Sequence, residues 1–227
     1  MLAETTPSTL TSGKYGAEGC LVEDTGRAHH TQYRLPRYDA PMNYTREQLL
    51  EHCSEVGEDV AVHSSVAFFG KKVRLGSRVR IDAFTVISGD VWIGNNCHVA
   101  SGARLFGGSG GIRMHDFSGV SSGASIYTAT DDYVDGFLTG PTIPARFKKL
   151  QSGPVSIGKH CIVGAGTVVL PGVTFEFGAT VGALSLVNRS LAECVVAAGC
   201  PAKPVKTRNK ERLVALEAEY LASLGGS

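Results

Sequence analysis

Two kinds of proton-accepting side chain stand out in this 227-residue sequence: the imidazole of His98 and the adjacent carboxylates Asp131 and Asp132. An imidazole ionises near neutral pH, so it can take the proton of a hydroxyl during attack. Weak carboxylates suffice for an amine, which is a good nucleophile once neutral, or they hold the amine while its proton leaves by another route. Each group also has a plainer reading. His98 then makes an exposed or interface hydrogen bond, and the aspartates cap a loop. His160 and His115 read as surface residues, and His63 and His52 attract no functional case. The six cysteines are widely separated with no C-x-x-C pair, so neither a zinc cage nor a disulfide framework is implied, and no metal site is expected.

What must position these side chains is a repeat. Fifteen six-residue units open with an apolar residue: Leu75, Ile81, Ile87, Ile93, Val99, Leu105, then Met114, Val120, Ile126, then Ile157, Val163, Val169, Phe175, Val181 and Val187. Four residues into each unit stands a second, mostly small residue, among them Val79, Thr85, Cys97, Ala103, Ser109, Ser118, Thr130, Cys161 and Ala179. Two inward positions per six residues fit a parallel β-helix with triangular coils, one unit to a side; an amphipathic helix would need a spacing near 3.6. Cys97 and Cys161 then simply fill space inside. The 28 glycines are assigned to the corners, where residues with a Cβ fit less easily. His98 and Asp131 fall at different corners of one prism, so both serve a single site only where neighbouring copies bring them together.

The repeat organises the rest of the chain. Residues 1–42, with His29-His30, read as an irregular arm. Residues 43–56 hold a short helix, because Thr45 with Gln48 matches a capping box and Leu49-Leu50 supply an apolar side. The β-helix occupies 57–208. Three extra residues in 106–111 are expected to bulge at a corner. A second interruption, 132–155, carries Tyr133, Asp135, Phe137, Arg146, Phe147 and Lys148 without any repeat, and so long an excursion points to function. Residues 209–227 form a helix, with Leu213, Leu216 and Tyr220 at helical spacing, that caps the last coil. A net charge of +1 gives no field for nucleic acid, and no apolar run is long enough to span a membrane. A soluble cytoplasmic protein is the default.

These features together resemble the hexapeptide-repeat acyltransferases. The resemblance covers about residues 57 to 208. It is carried by Ile157-Gly158-Lys159-His160-Cys161-Ile162-Val163-Gly164-Ala165-Gly166, by Leu170-Pro171-Gly172-Val173, and by the ending Gly199-Cys200-Pro201-Ala202-Lys203. It implies an all-β fold, a left-handed parallel β-helix of hexapeptide repeats with a short N-terminal helix and a C-terminal capping helix, assembled as a homotrimer. It also implies acetyl-CoA as cosubstrate. Corner backbone amides near Gly164, Ala165, Gly182 and Ala183 would suit the pantetheine arm, and Lys203, Lys206 and Arg208 would meet its phosphates.

Within the family, Ser118-Gly119-Val120-Ser121-Ser122, Thr130-Asp131-Asp132-Tyr133 and Thr139-Gly140-Pro141-Thr142-Ile143-Pro144 look most like enzymes acting on nucleotide-linked 4-amino-4,6-dideoxy sugars in surface polysaccharide biosynthesis. Relatives that acetylate free sugars usually place a catalytic His just after the middle coil, and Tyr127 to Tyr133 contains none. That departure tilts the acceptor towards an amine handled by Asp131 and Asp132. O-acetylation of a free or polymeric sugar, with His98 as base, is one rival. A non-catalytic β-helix scaffold is the other, against which the 132–155 excursion argues.

Overall fold

The computed structural model describes residues 42–70 and 72–224. Every described element belongs to one unit within 38–227. The arm expected over 1–42, with its histidine pair, lies outside the described residues apart from Met42.

Helix α1, Arg46–His52, opens on the capping box read from the sequence: Gln48 N–H donates to Thr45 Oγ1, and the Gln48 side chain accepts from Thr45 N–H. The helix is shorter than 43–56, because Cys53–Val56 already pairs in parallel with Val73–Leu75 as the first rung of the solenoid. Parallel rungs then stack on three sides. On the first side Val73–Leu75 pairs with Val91–Ile93, which pairs with Ile112–Met114, then Val155–Ile157 and Thr174–Phe175. The second runs Ala61–Val62, Arg80–Ile81, His98–Val99, Gly119–Val120, Ile162–Val163, Thr180–Val181 and Val195–Ala198. The third joins Ala67–Phe69 to Val86–Ser88, Arg104–Phe106, Ser125–Tyr127, Val168–Val169 and Leu186–Val187.

All fifteen unit-opening residues are buried, as are the second positions except Ser109 and Thr130. Those two mark the interruptions. The three inserted residues do not form a separate corner loop: Arg104–Met114 is one strand turning from the third side onto the first, its register slipping against Val86–Ile93 around Ser88, Gly89 and Val91. Ile112, fully buried, takes the inward place assigned to Ser109. The excursion likewise starts earlier and ends sooner than 132–155. Ala129–Asp131 pairs antiparallel with Leu150–Ser152, and Val155 is back in the stack.

Glycine has a second use at the corners besides its tolerance of positive φ. At the corner between the first and second sides, Asp59, Arg78, Asn96, Phe117, His160 and Cys194 hold positive φ with full side chains. At Gly76 and Gly164 the constraint is the next rung: an added Cβ would stand 2.8 Å from Gly94 C and 2.6 Å from Ala183 N. Cys97 and Cys161 are buried, and burial pushes the Cys161 thiol up to about 12, so it packs as an inert group.

The terminal helix α2, Lys210–Leu224, does not sit over the last rung. It runs along the corner between first and second sides, where Tyr220 Oη bonds Asn96 Oδ1 and Glu217 meets Lys159 and His160. The end of the second side is covered instead by Lys203–Thr207, antiparallel to Val195–Ala198. His160 is therefore no surface residue. Its ring stacks on Phe117 at 5.1 Å, and its Nε2 lies 2.8 Å from Glu217 Oε2. His115 is exposed, edge-on to Trp92. No helix among the described residues is long and apolar enough to cross a membrane.

Candidate active site

His98 projects outward from the second side, half exposed, and its Nε2 lies 2.8 Å from Asp82 Oδ2. Asp82 belongs to the rung below, and Arg80 Nε holds its other oxygen at 2.7 Å. Burial pushes the Asp82 carboxyl up, but the hydrogen bonds from Arg80 and His98, aided by their charges, outweigh it and hold the group below its ordinary value of 3.8. A carboxylate on Nε2 fixes the orientation of the imidazole and leaves Nδ1 as its other ring nitrogen. The aspartate was not foreseen, although an eighteen-residue coil stacks Arg80 under His98 and so brings Asp82 close.

The two neighbouring carboxylates have different surroundings. Asp132 is 4% exposed and its Oδ2 accepts the Asp135 N–H at 2.7 Å, a loop cap that absorbs it into the turn. Asp131 is only part-buried, and its Oδ2 has a longer 3.3 Å contact to Gly140 N–H. Lys148 Nζ donates to Gly140 O at 2.9 Å, which steadies the same loop. Around them the excursion presents Tyr133, Phe137 and Phe147 to the surface. From Thr128 to Ser152 it holds no histidine.

The corner between second and third sides provides free backbone donors. Gly164 N–H and Gly182 N–H are spent on Val181 O and Ala197 O of the next rung. Ala165 and Ala183, one residue on, are exposed, and among the described residues their N–H groups meet no protein acceptor. The corner between first and second sides behaves differently. There Ser77 Oγ, Asn95 Oδ1 and Asp116 Oδ1 accept from the N–H groups of Glu58, Ser77 and Asn95 on the rung before. Of the four residues proposed for an amide-rich ligand, Ala165 and Ala183 offer donors, while Gly164 and Gly182 provide the close rung spacing that stacks them.

Lys203 and Lys206 are exposed on the last strand. Arg208 is engaged elsewhere: Nη1 donates to His160 O at 2.6 Å and Gly178 O at 2.9 Å, pinning the chain to the corner occupied by α2. Asp131 leaves from the corner between third and first sides, Ala165 and Ala183 lie at the corner between second and third, and His98 opens the second-side strand just after the corner between first and second. One chain therefore does not bring them together. Among the described residues no group of three or more His, Cys, Asp or Glu is arranged to hold a metal ion.

Comparisons with known proteins agree with this architecture. Residues 72–107 match the family model described as bacterial transferase hexapeptide (six repeats). A dTDP-4-amino-4,6-dideoxy-D-glucose acyltransferase from Escherichia coli is 36% identical over 175 residues, covering 75% of this chain and 90% of that protein. The putative lipopolysaccharide biosynthesis O-acetyl transferase WbbJ of Escherichia coli K12 is 32% identical, over 63% of this chain and 72% of its own. Among solved structures, AntD, an N-acyltransferase from Bacillus cereus in complex with dTDP and 3-hydroxybutyryl-CoA, superposes with a TM-score of 0.79 at 36% identity, covering 82% of this chain and 99% of that one.

Proposed function

The chain belongs to the hexapeptide-repeat acyltransferases, and from that premise we propose that it moves an acyl group from coenzyme A to the amino group of a nucleotide-linked 4-amino-4,6-dideoxy sugar. The observation that carries the acceptor class is the 128–152 excursion, which offers the accessible carboxylate of Asp131 and no imidazole. The neutral amine attacks the thioester carbonyl, the new N–C bond forms, and collapse of the tetrahedral centre expels the coenzyme thiolate. The attacking nitrogen must shed one proton, and Asp131 holds the amine and receives or relays it. Asp132 acts as a positioning residue that shapes the loop.

The pantetheine arm lies along the Ala165 and Ala183 corner, and Lys203 and Lys206 face its phosphates. Acetyl-CoA is the donor taken here; AntD was solved with a longer acyl chain. Because the carboxylate and the amide strip stand on different edges, the complete site forms between copies, as in a homotrimer. Substrates of this kind fit a cytoplasmic enzyme of lipopolysaccharide or related surface polysaccharide synthesis.

A second reading has one observation in its favour. The Asp82-bound imidazole of His98 is equipped to deprotonate a hydroxyl, which suits O-acetyl transfer. Incubation with acetyl-CoA and paired amino and hydroxy sugars, free and nucleotide-linked, with thiol release as readout, separates the two. Turnover confined to nucleotide-linked amines supports the proposal. Turnover of hydroxyl acceptors alone selects the rival, and silence across the panel selects a scaffold.

A further inference from the structure

The first side of the prism carries a basic cluster that neither the acyl-transfer site nor the rung packing uses. Its outward positions stack Arg74, Trp92 and Arg113 in register. Beside them Asp90 receives Arg113 in a fork, Nη1 to Oδ1 at 3.1 Å and Nη2 to Oδ2 at 2.8 Å. Arg74 reaches the same carboxylate only through one 3.4 Å contact, and among the described residues Lys72 forms no hydrogen bond or ion pair. Glu55, exposed, is the register partner of Arg74 on the rung before, so three cations face two carboxylates and leave one positive charge in surplus. The Arg74 and Arg113 side chains are 41% and 36% exposed. Ser54, Lys72, Arg74 and Asp90 line an open cleft of about 310 Å³, at the small end of the range for ligand sites. The Arg113 fork is spent on Asp90, but the Arg74 guanidinium, held by one long contact, and the neighbouring Lys72 suit phosphate oxygens.

Its position gives the cluster meaning. Asp90 sits at the corner between third and first sides, packed so closely on Gly107 that an added Cβ there would stand 2.3 Å from Asp90 O. Gly107 O accepts the Thr128 hydroxyl at 2.7 Å. The excursion departs from Thr128, and Asp131 follows three residues later, a contour of about 10 Å. Cluster and carboxylate therefore share one edge. In a nucleotide-linked sugar the diphosphate lies between the base and the sugar, so a diphosphate held in the cleft leaves the sugar free to extend along that edge. We infer that the cleft lined by Lys72 and Arg74, with Arg113 holding Asp90 beside it, anchors the diphosphate of the acceptor, an inference that rests on the function proposed above.

The test uses Lys72→Gln, Arg74→Gln and the double variant, which leave the Arg113–Asp90 fork intact. Binding of inorganic pyrophosphate and of a nucleoside diphosphate is measured by calorimetry with coenzyme A at saturation, so that the coenzyme's own phosphate contacts are already filled. Each single variant is expected to weaken both ligands about tenfold and the double variant about a hundredfold, the loss typical of hydrogen bonds to charged groups. KM for the nucleotide-linked amino sugar should rise in step, while kcat and KM for acetyl-CoA stay at wild-type values. Wild-type affinity in the double variant, or a wild-type protein that binds neither ligand, overturns the inference. A wild-type protein that binds the diphosphates and loses them in the variants, yet transfers no acyl group, upholds the groove and sinks the catalytic reading instead.

Discussion

Substituting Gly164 by Ala tests how the coenzyme strip is built. A Cβ at this position would lie 2.6 Å from Ala183 N, Gly182 C and Val181 O, all of them backbone atoms of the next rung. Backbone cannot rotate away, so the rungs must part by several tenths of an ångström where Ala165 and Ala183 stack. Overpacking of this kind costs about 1–3 kcal/mol, which for a chain of this size lowers the melting temperature by about 2–12 °C. Displacing one neutral amide donor should also weaken coenzyme A by about two- to tenfold. Gly119→Ala is the matched control, since its Cβ would meet only His98 O at an ordinary 3.7 Å. Thermal unfolding and coenzyme titration on both variants decide the matter. A Gly164→Ala protein that melts and binds like wild type would refute the close-rung argument and the amide strip built on it.

Further outcomes follow from other contacts. Asp131→Asn should lower kcat about a hundredfold or more with KM for acetyl-CoA unchanged, whereas Asp132→Asn should loosen the excursion, read as faster proteolysis within 132–149. His98→Asn should change kcat on an amine acceptor less than about fivefold, and a larger loss would favour the hydroxyl reading. Asp82 is held below its ordinary 3.8, so its stabilising contribution is complete above that value and fades as the pH falls through the depressed one. Asp82→Asn should therefore show a shallower loss of stability below about pH 4 than wild type, which acid titration of the melting temperature would detect. Glu217→Gln removes the carboxylate shared by Lys159 and His160 and should speed amide exchange across α2 while sparing the rungs.

The rungs were legible because a period of six is imposed locally: every side of every coil must place one large and one small side chain inward, whatever lies around it. Errors began where that rule is suspended. Ser109 has the right spacing but stands in a strand that slips register, and Ile112 is buried in its place. Thr130 has the right spacing too, yet the chain has already left the stack at Ala129. Contacts made by α2 were invisible for a different reason. His160 and Glu217 are separated by 57 residues with no shared repeat, so nothing local announced that the ring would be buried. The candidate site was legible as residue types and only partly as roles. Asp131 and Asp132 look alike in sequence and differ because one caps the turn at Asp135. Arg208 read as a phosphate contact, whereas its guanidinium is held by two carbonyls at another corner.

The proposed site takes one edge from each of two copies, and subunit complementation tests that most directly. Asp131→Asn disables the edge with the carboxylate, and Ala165→Trp, at an exposed corner residue, blocks the edge with the amide strip. Each variant alone should be nearly inactive. Co-assembled in equal amounts at random, they should regain about a quarter of wild-type turnover, because that fraction of junctions pairs two intact edges. Mixed assemblies that stay as inactive as the parents would contradict a shared site and return the chemistry to a single prism.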